Sequence, residues 1–139
     1  MFESAILAAL SEDVTLASYV STYGGSPAVF SEHAPEGAEM PYITFRIERD
    51  TTEALPVQAF SVFVDFWDYN KSRVNARAAS ERIEFLLDNK QFDHARYSNI
   101  RLFRFSAGPV EDSDPRSIHY NHLFSARAGR KKWAQQISS

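Results

Sequence analysis

The chain has 139 residues, enough for one domain that buries roughly two-thirds of its unfolded surface. It contains no cysteine, which excludes disulfides, thiolate metal sites and cysteine nucleophiles, while 11 Phe, 6 Tyr and 2 Trp supply aromatics for a core and for an interface. The net charge of −3 is unevenly spread: residues 1–60 carry nine acids against two bases, and residues 61–139 nine acids against thirteen bases. Either the fold mixes these halves in space, or copies meet head to tail with an acidic face against a basic one.

Phe2, Ile6, Ala9 and Leu10 recur at helical spacing and predict a short N-terminal helix, interrupted by Ser11-Glu12-Asp13 before a second short piece over 14–20. The same run lacks the basic start of a signal peptide and is far shorter than the ~20 apolar residues of a membrane span. The expectation is a chain made in the cytoplasm without membrane contact. Gly24-Gly25, Pro27, Pro35 and Gly37 break regular structure from Ser21 to Met40, a long loop with a short strand at Ala28-Val29-Phe30.

After Pro41, Ile43, Phe45 and Ile47 alternate with Thr44, Arg46 and Glu48, the period of a strand with one wet face. In the next strand Phe60, Val62, Val64 and Phe66 share one face, and Ser61, Phe63, Asp65 and Trp67 the other. Between Asn70 and Asn89 the period becomes 3.6, with Val74, Ala78, Ala79, Ile83, Leu86 and Leu87 as the apolar stripe of the main helix. A polar connection from Gln91 to Ser98 leads to a strand over Ile100 to Phe105 whose faces are not cleanly separated. Glu111-Asp112-Ser113-Asp114-Pro115 reads as a turn. From Ile118 to Arg127 a last strand sets Ile118, Tyr120, His122 and Phe124 opposite His119, Asn121, Leu123 and Ser125.

The order helix, loop, strand, strand, helix, strand, strand predicts an α+β domain over 1–127. Its sheet is expected to be mainly antiparallel, of about four strands, with the main helix and the short N-terminal helix packed on one face. Residues 128–139 form a basic, flexible C-terminal arm in this reading.

The chemistry-bearing residues do not assemble into a familiar motif. His119 and His122 are three apart on a strand, so their side chains point to opposite faces and do not share a metal. Gly24-Gly25-Ser26-Pro27-Ala28 lacks the strand, helix and final glycine of a nucleophile elbow. Asp112 and Asp114 lack the ligand ladder and central glycine of a calcium loop. Asp65, alone in an aromatic strand, is read as the single charge that an edge strand carries against stray pairing. No catalytic, cofactor-binding or metal-binding residue is assigned. The partner-binding candidates are Arg127, Arg130, Lys131, Lys132 and Trp133, a basic cluster beside an aromatic that suits a solvated or subunit-binding arm better than a phosphate-binding one in a net acidic chain.

The succession of a short helix, a Pro/Gly loop, Met40-Pro41-Tyr42-Ile43-Thr44-Phe45, then Val62-Phe63-Val64-Asp65-Phe66-Trp67 and an Ala-rich helix resembles the small phage tail-completion proteins, a family of tail terminators and tail-to-head joining proteins. The resemblance runs from about residue 2 to about residue 127. It implies a non-enzymatic virion protein without cofactor, whose copies form a six-fold ring on the end of the tail tube. Its partners would be itself, the major tail-tube protein and a neck or connector protein, with DNA passing through without specific binding. Two other readings stay open: a head-side neck subunit that uses 128–139 as its arm, and a small-molecule-binding or hydrolytic domain with Asp65, His119 or His122 converging in a deep pocket.

Overall fold

The computed structural model describes residues 2–49, 57–69, 73–92, 94 and 97–130. In chain order the elements are α1 (Glu3–Ser11), α2 (Val14–Ala17), β1 (Thr22–Tyr23), β2 (Ser26–Pro27), β3 (Val29–Ser31), β4 (Tyr42–Arg49), β5 (Val57–Tyr69), α3 (Arg73–Leu87), β6 (Gln91–Phe92), β7 (Tyr97–Pro109) and β8 (Ser117–Arg130). Among the described residues no helix is long and apolar enough to cross a membrane.

The fold is α+β, but its main sheet has six strands instead of about four, in the order β3-β4-β5-β8-β7-β6. The two additional strands are the short edges: β3, which is the short strand expected at Ala28-Val29-Phe30 and joins the main sheet, and β6, which is not expected from the sequence. β3 pairs parallel to β4, and β6 closes a two-residue ladder on β7. Neither is long enough to show a period of two. The loop over 21–40 also holds a hairpin, with β1 and β2 joined by Gly24 and Gly25, whose φ values of 58° and 83° are those of the two-residue turn that suits a right-twisted ribbon.

The central strands follow their alternation. Phe60, Val62, Val64 and Phe66 of β5 lie beside Ala126, Phe124, His122 and Tyr120 of β8, all buried. From the other side of β5, Ile43, Phe45 and Ile47 of β4 join the same face. Against this inner face pack Phe2, Ile6 and Leu10 of the N-terminal segment and Ala76, Ala79, Ile83 and Leu87 of α3. The Phe2 ring meets Phe60 edge-on at 5.1 Å. Each such large apolar side chain contributes ~1.5–3 kcal/mol.

The stripe expected for α3 is rotated by part of a turn. Val74 is 72% exposed, whereas Ala76 and Ser80 are buried. Ser80 is drawn inward because its hydroxyl lies 2.8 Å from His122 Nε2, a polar contact that hydropathy periodicity does not register. Asp13 caps α2 by accepting the Leu16 amide and also receives both Nε and Nη2 of Arg82, tying α2 to α3. The Arg82 hydrogen bonds hold the Asp13 carboxyl below its usual range.

β7 departs from simple alternation because its register on β8 shifts between Ser98 and Arg101 and again between Arg104 and Ser106. Phe105 sits at the second irregularity and is 74% exposed. The mixed faces seen in the sequence are therefore a bulged strand.

Candidate assembly surface

The face of the sheet turned away from the helices carries the odd-numbered positions of β5 and β8. On it, three strands are laced side by side. Asp65 of β5 lies opposite Thr44 of β4 and Asn121 of β8, and Trp67 lies opposite Tyr42 and His119. The Asp65 Oδ1 accepts from Asn121 Nδ2 at 2.8 Å and lies 2.6 Å from His119 Nε2. Trp67 donates its indole N–H to Thr44 Oγ1 at 3.0 Å, and its ring stacks on the His119 imidazole with centroids 3.7 Å apart. Direct and diagonal cross-strand pairs thus pin β4, β5 and β8 in one register.

This corrects the expectation for Asp65. β5 is interior to the sheet, flanked by β4 and β8, so its carboxylate does not guard an edge. Burial pushes the Asp65 carboxyl up, but hydrogen bonds from His119 and Asn121, with His119 and Arg46 nearby, outweigh burial and hold it below the usual carboxylate range. One oxygen serves two donors, so the group acts as a cross-strand fastener. Two rungs along, Arg46 lies 4.1 Å over the Phe63 ring and pairs with Glu48 at 3.2 Å.

His119 and His122 point to opposite faces. His122 is fully buried on the inner face, its Nε2 engaged by Ser80, while its Nδ1 has no hydrogen-bond partner among the described residues and lies 3.7 Å from Glu84 Oε1. Burial pushes its pKa down to about 4, opposed by the charge of Asp65 and reinforced by Arg104. Of the three residues considered for a pocket, Asp65 and His119 do converge, on the open sheet face, and the sheet separates them from His122.

Beside this network lies a shallow recess of about 180 Å³ lined by Glu32, His33, Ala34, Tyr42, Thr44 and Trp67. Its aromatic floor continues outward, Phe30 meeting Tyr42 at 6.1 Å and Tyr23 at 5.4 Å. The Glu111–Arg116 turn is closed by its own side chains: the Asp112 carboxylate accepts from the Ser113 hydroxyl and the Asp114 amide, and Asp114 accepts from the Arg116 amide and Nε.

Of the partner-binding candidates, Arg127 stands exposed on the outer face of β8, opposite Ala59 and Arg101. β8 continues to Arg130, which pairs with Tyr97, so the strand runs past Arg127. Lys131, Lys132 and Trp133 lie outside the described residues. Sequence reasoning did not find the Trp67, His119, Thr44 and Asn121 network, because each member is ordinary within its own strand and only the register unites them.

The sequence matches the family model of the tail completion protein gp17 over residues 4–128. None of the curated proteins matches it in sequence. In fold it is similar to a chain of the virion of a native gene transfer agent particle, at a TM-score of 0.75 and 16% identity, covering 92% of this chain and 94% of that one. With the family model spanning nearly all of the fold, from α1 through most of β8, the chain belongs to the tail completion protein gp17 family of structural phage tail proteins.

Proposed function

We propose that this chain ends the tail tube: copies of it close into a ring of six on the head-proximal end of the tube, stop its growth and present a surface to the neck. The observation that carries the reading is the family match over residues 4–128. The shape of the subunit supports it. A closed ring needs two different patches on each copy, and the sheet offers two unlike edges. One edge is β3, with the acidic loop that follows it. The other is β7, whose edge β6 and the turn at Asp88–Lys90 cover as far as Arg104 and which bears exposed Phe103 and Phe105. Exposed apolar side chains near a sheet edge are a ready place for another chain to dock.

In this reading residues 1–127 form the domain that builds the ring, and the basic residues that follow engage a neighbouring subunit. The DNA passes through the ring without sequence-specific contact. The test is to polymerise the major tail-tube protein with and without this chain and to measure tube length by electron microscopy. Tubes should stop growing in proportion to added protein; unchanged length distributions with bare ends would refute the reading. Caps found only on isolated heads would instead favour a head-side neck station.

A further inference from the structure

The two ends of the sheet differ in charge. Residues 1–45 contain six acids and no Lys or Arg; Glu32 of that stretch lines the aromatic recess on the β3–β4 edge, and Glu36 and Glu39 follow it in the loop between β3 and β4. Residues 117–139 contain four bases and no acid. The base nearest the recess in sequence, Arg46, two residues beyond Thr44, is already paired with Glu48 and lies 4.1 Å over the Phe63 ring. The recess therefore combines aromatic rings with the Glu32 carboxylate and an acidic loop beside it, the chemistry that receives a cation next to an aromatic side chain.

We propose that this recess is the seat for Lys131-Lys132-Trp133 of an adjacent copy. The strand geometry assigns the segment to a neighbour. β8 begins at the recess end, where His119 stacks on Trp67, and is described as far as Arg130. Eleven residues at ~3.3 Å each put the two roughly 36 Å apart, whereas three further residues carry Trp133 only ~10 Å beyond Arg130. A copy cannot fill its own recess. Head-to-tail contacts of this kind, basic segment into the recess of the next subunit, propagate in one direction and close if the rotation per subunit allows. The contact rests on the ring proposed above and names one of its joints.

The chain has no cysteine, so an introduced pair reports only on itself. In the full chain carrying His33→Cys and Lys132→Cys, assembled on tail tubes and oxidised, the seat predicts a ladder of covalent oligomers beyond the dimer on a non-reducing gel. Each single-cysteine variant should stop at the dimer. A double variant that also stops at the dimer, or links only within one chain, overturns the seat. Charge exchange gives a second arm. Glu36→Lys with Glu39→Lys, and separately Lys131→Glu with Lys132→Glu, should each weaken tube capping about tenfold, and the combination of all four should recover most of it. Both pairs capping like the unaltered chain overturns the seat while the ring stands. An unaltered chain that caps no tubes removes the ring, and with it the seat.

Discussion

Asp65 shows how much one side chain does in this sheet. Its Oδ1 meets donors from His119 and Asn121, so Asp65→Ala leaves two half-buried polar groups without their acceptor. We expect a loss of ~1–3 kcal/mol in urea unfolding, and a coupling of ~0.5–3 kcal/mol in a double-mutant cycle with Asn121→Ala. Additive single effects would show that the network is incidental. His122 makes the opposite kind of prediction. Its pKa in the fold is about 4 against an ordinary 6.5, so the unfolded chain takes up the proton first. Stability is complete above pH 6.5 and declines as the pH falls toward 4, with about 2 kcal/mol lost between pH 7.5 and pH 5. In His122→Phe that difference should shrink to the small remainder from carboxylates, which titrate lower. An unchanged pH dependence in that variant would assign the effect elsewhere. Neither role was legible in the residue itself: the sequence showed that His119 and His122 face apart, but a carboxylate in an aromatic strand looks the same at an edge and between two strands.

At the scale of elements, strong periodicity translated into structure, as did the short N-terminal helix and the short strand expected at Ala28-Val29-Phe30, whereas the two-residue strands β1, β2 and β6 did not show in the sequence. β4, β5, α3 and β8 were visible because burial on one face repeats over many residues. β1, β2 and β6 have only two residues each, and the Gly24-Gly25 turn was the one local sign of the hairpin. Helix α2 has only four residues and depends on Asp13, which caps it and pairs with Arg82 of α3. Asp13→Ala should cost ~1–3 kcal/mol, since a cap and a two-pronged pair are lost together. Arg82→Ala, which keeps the cap, should cost less; the reverse order, measured by denaturant midpoint, would mean that the pair and not the cap holds α2. At the β7 irregularity Phe105 is 74% exposed, so Phe105→Ser should leave the unfolding midpoint within ~0.5 kcal/mol of the original while weakening tube capping. Loss of stability in that variant would show that the ring is part of the core.

For the whole molecule, the fold sorts part of the sequence's charge asymmetry in space. Of the acids in the first third, Glu32, Glu36 and Glu39 belong to the β3–β4 edge, whereas Glu3, Glu12 and Asp13 lie with the helices, where Asp13 pairs with Arg82 of α3. The bases of β8 lie beyond Ser125, away from the Trp67 end of the sheet. The sequence showed the asymmetry and left open whether folding would blend it; folding blends part of it through the Asp13–Arg82 pair and leaves the Glu32–Glu39 stretch apart, an outcome with no local signature. The hydrogen-bonded outer face of the sheet is likewise a product of register, uniting Thr44, Trp67, Asp65, His119 and Asn121 from three strands. All of this leads to a subunit that works by the surfaces it turns to other chains. The most direct measurement is a cryo-electron-microscopy reconstruction of the head-proximal end of tail tubes assembled with this chain. A closed ring of six copies seated on the last tube layer, each β3–β4 edge facing the next subunit, is the result expected. A tube end without this chain, or isolated copies bound along the tube wall, would contradict it.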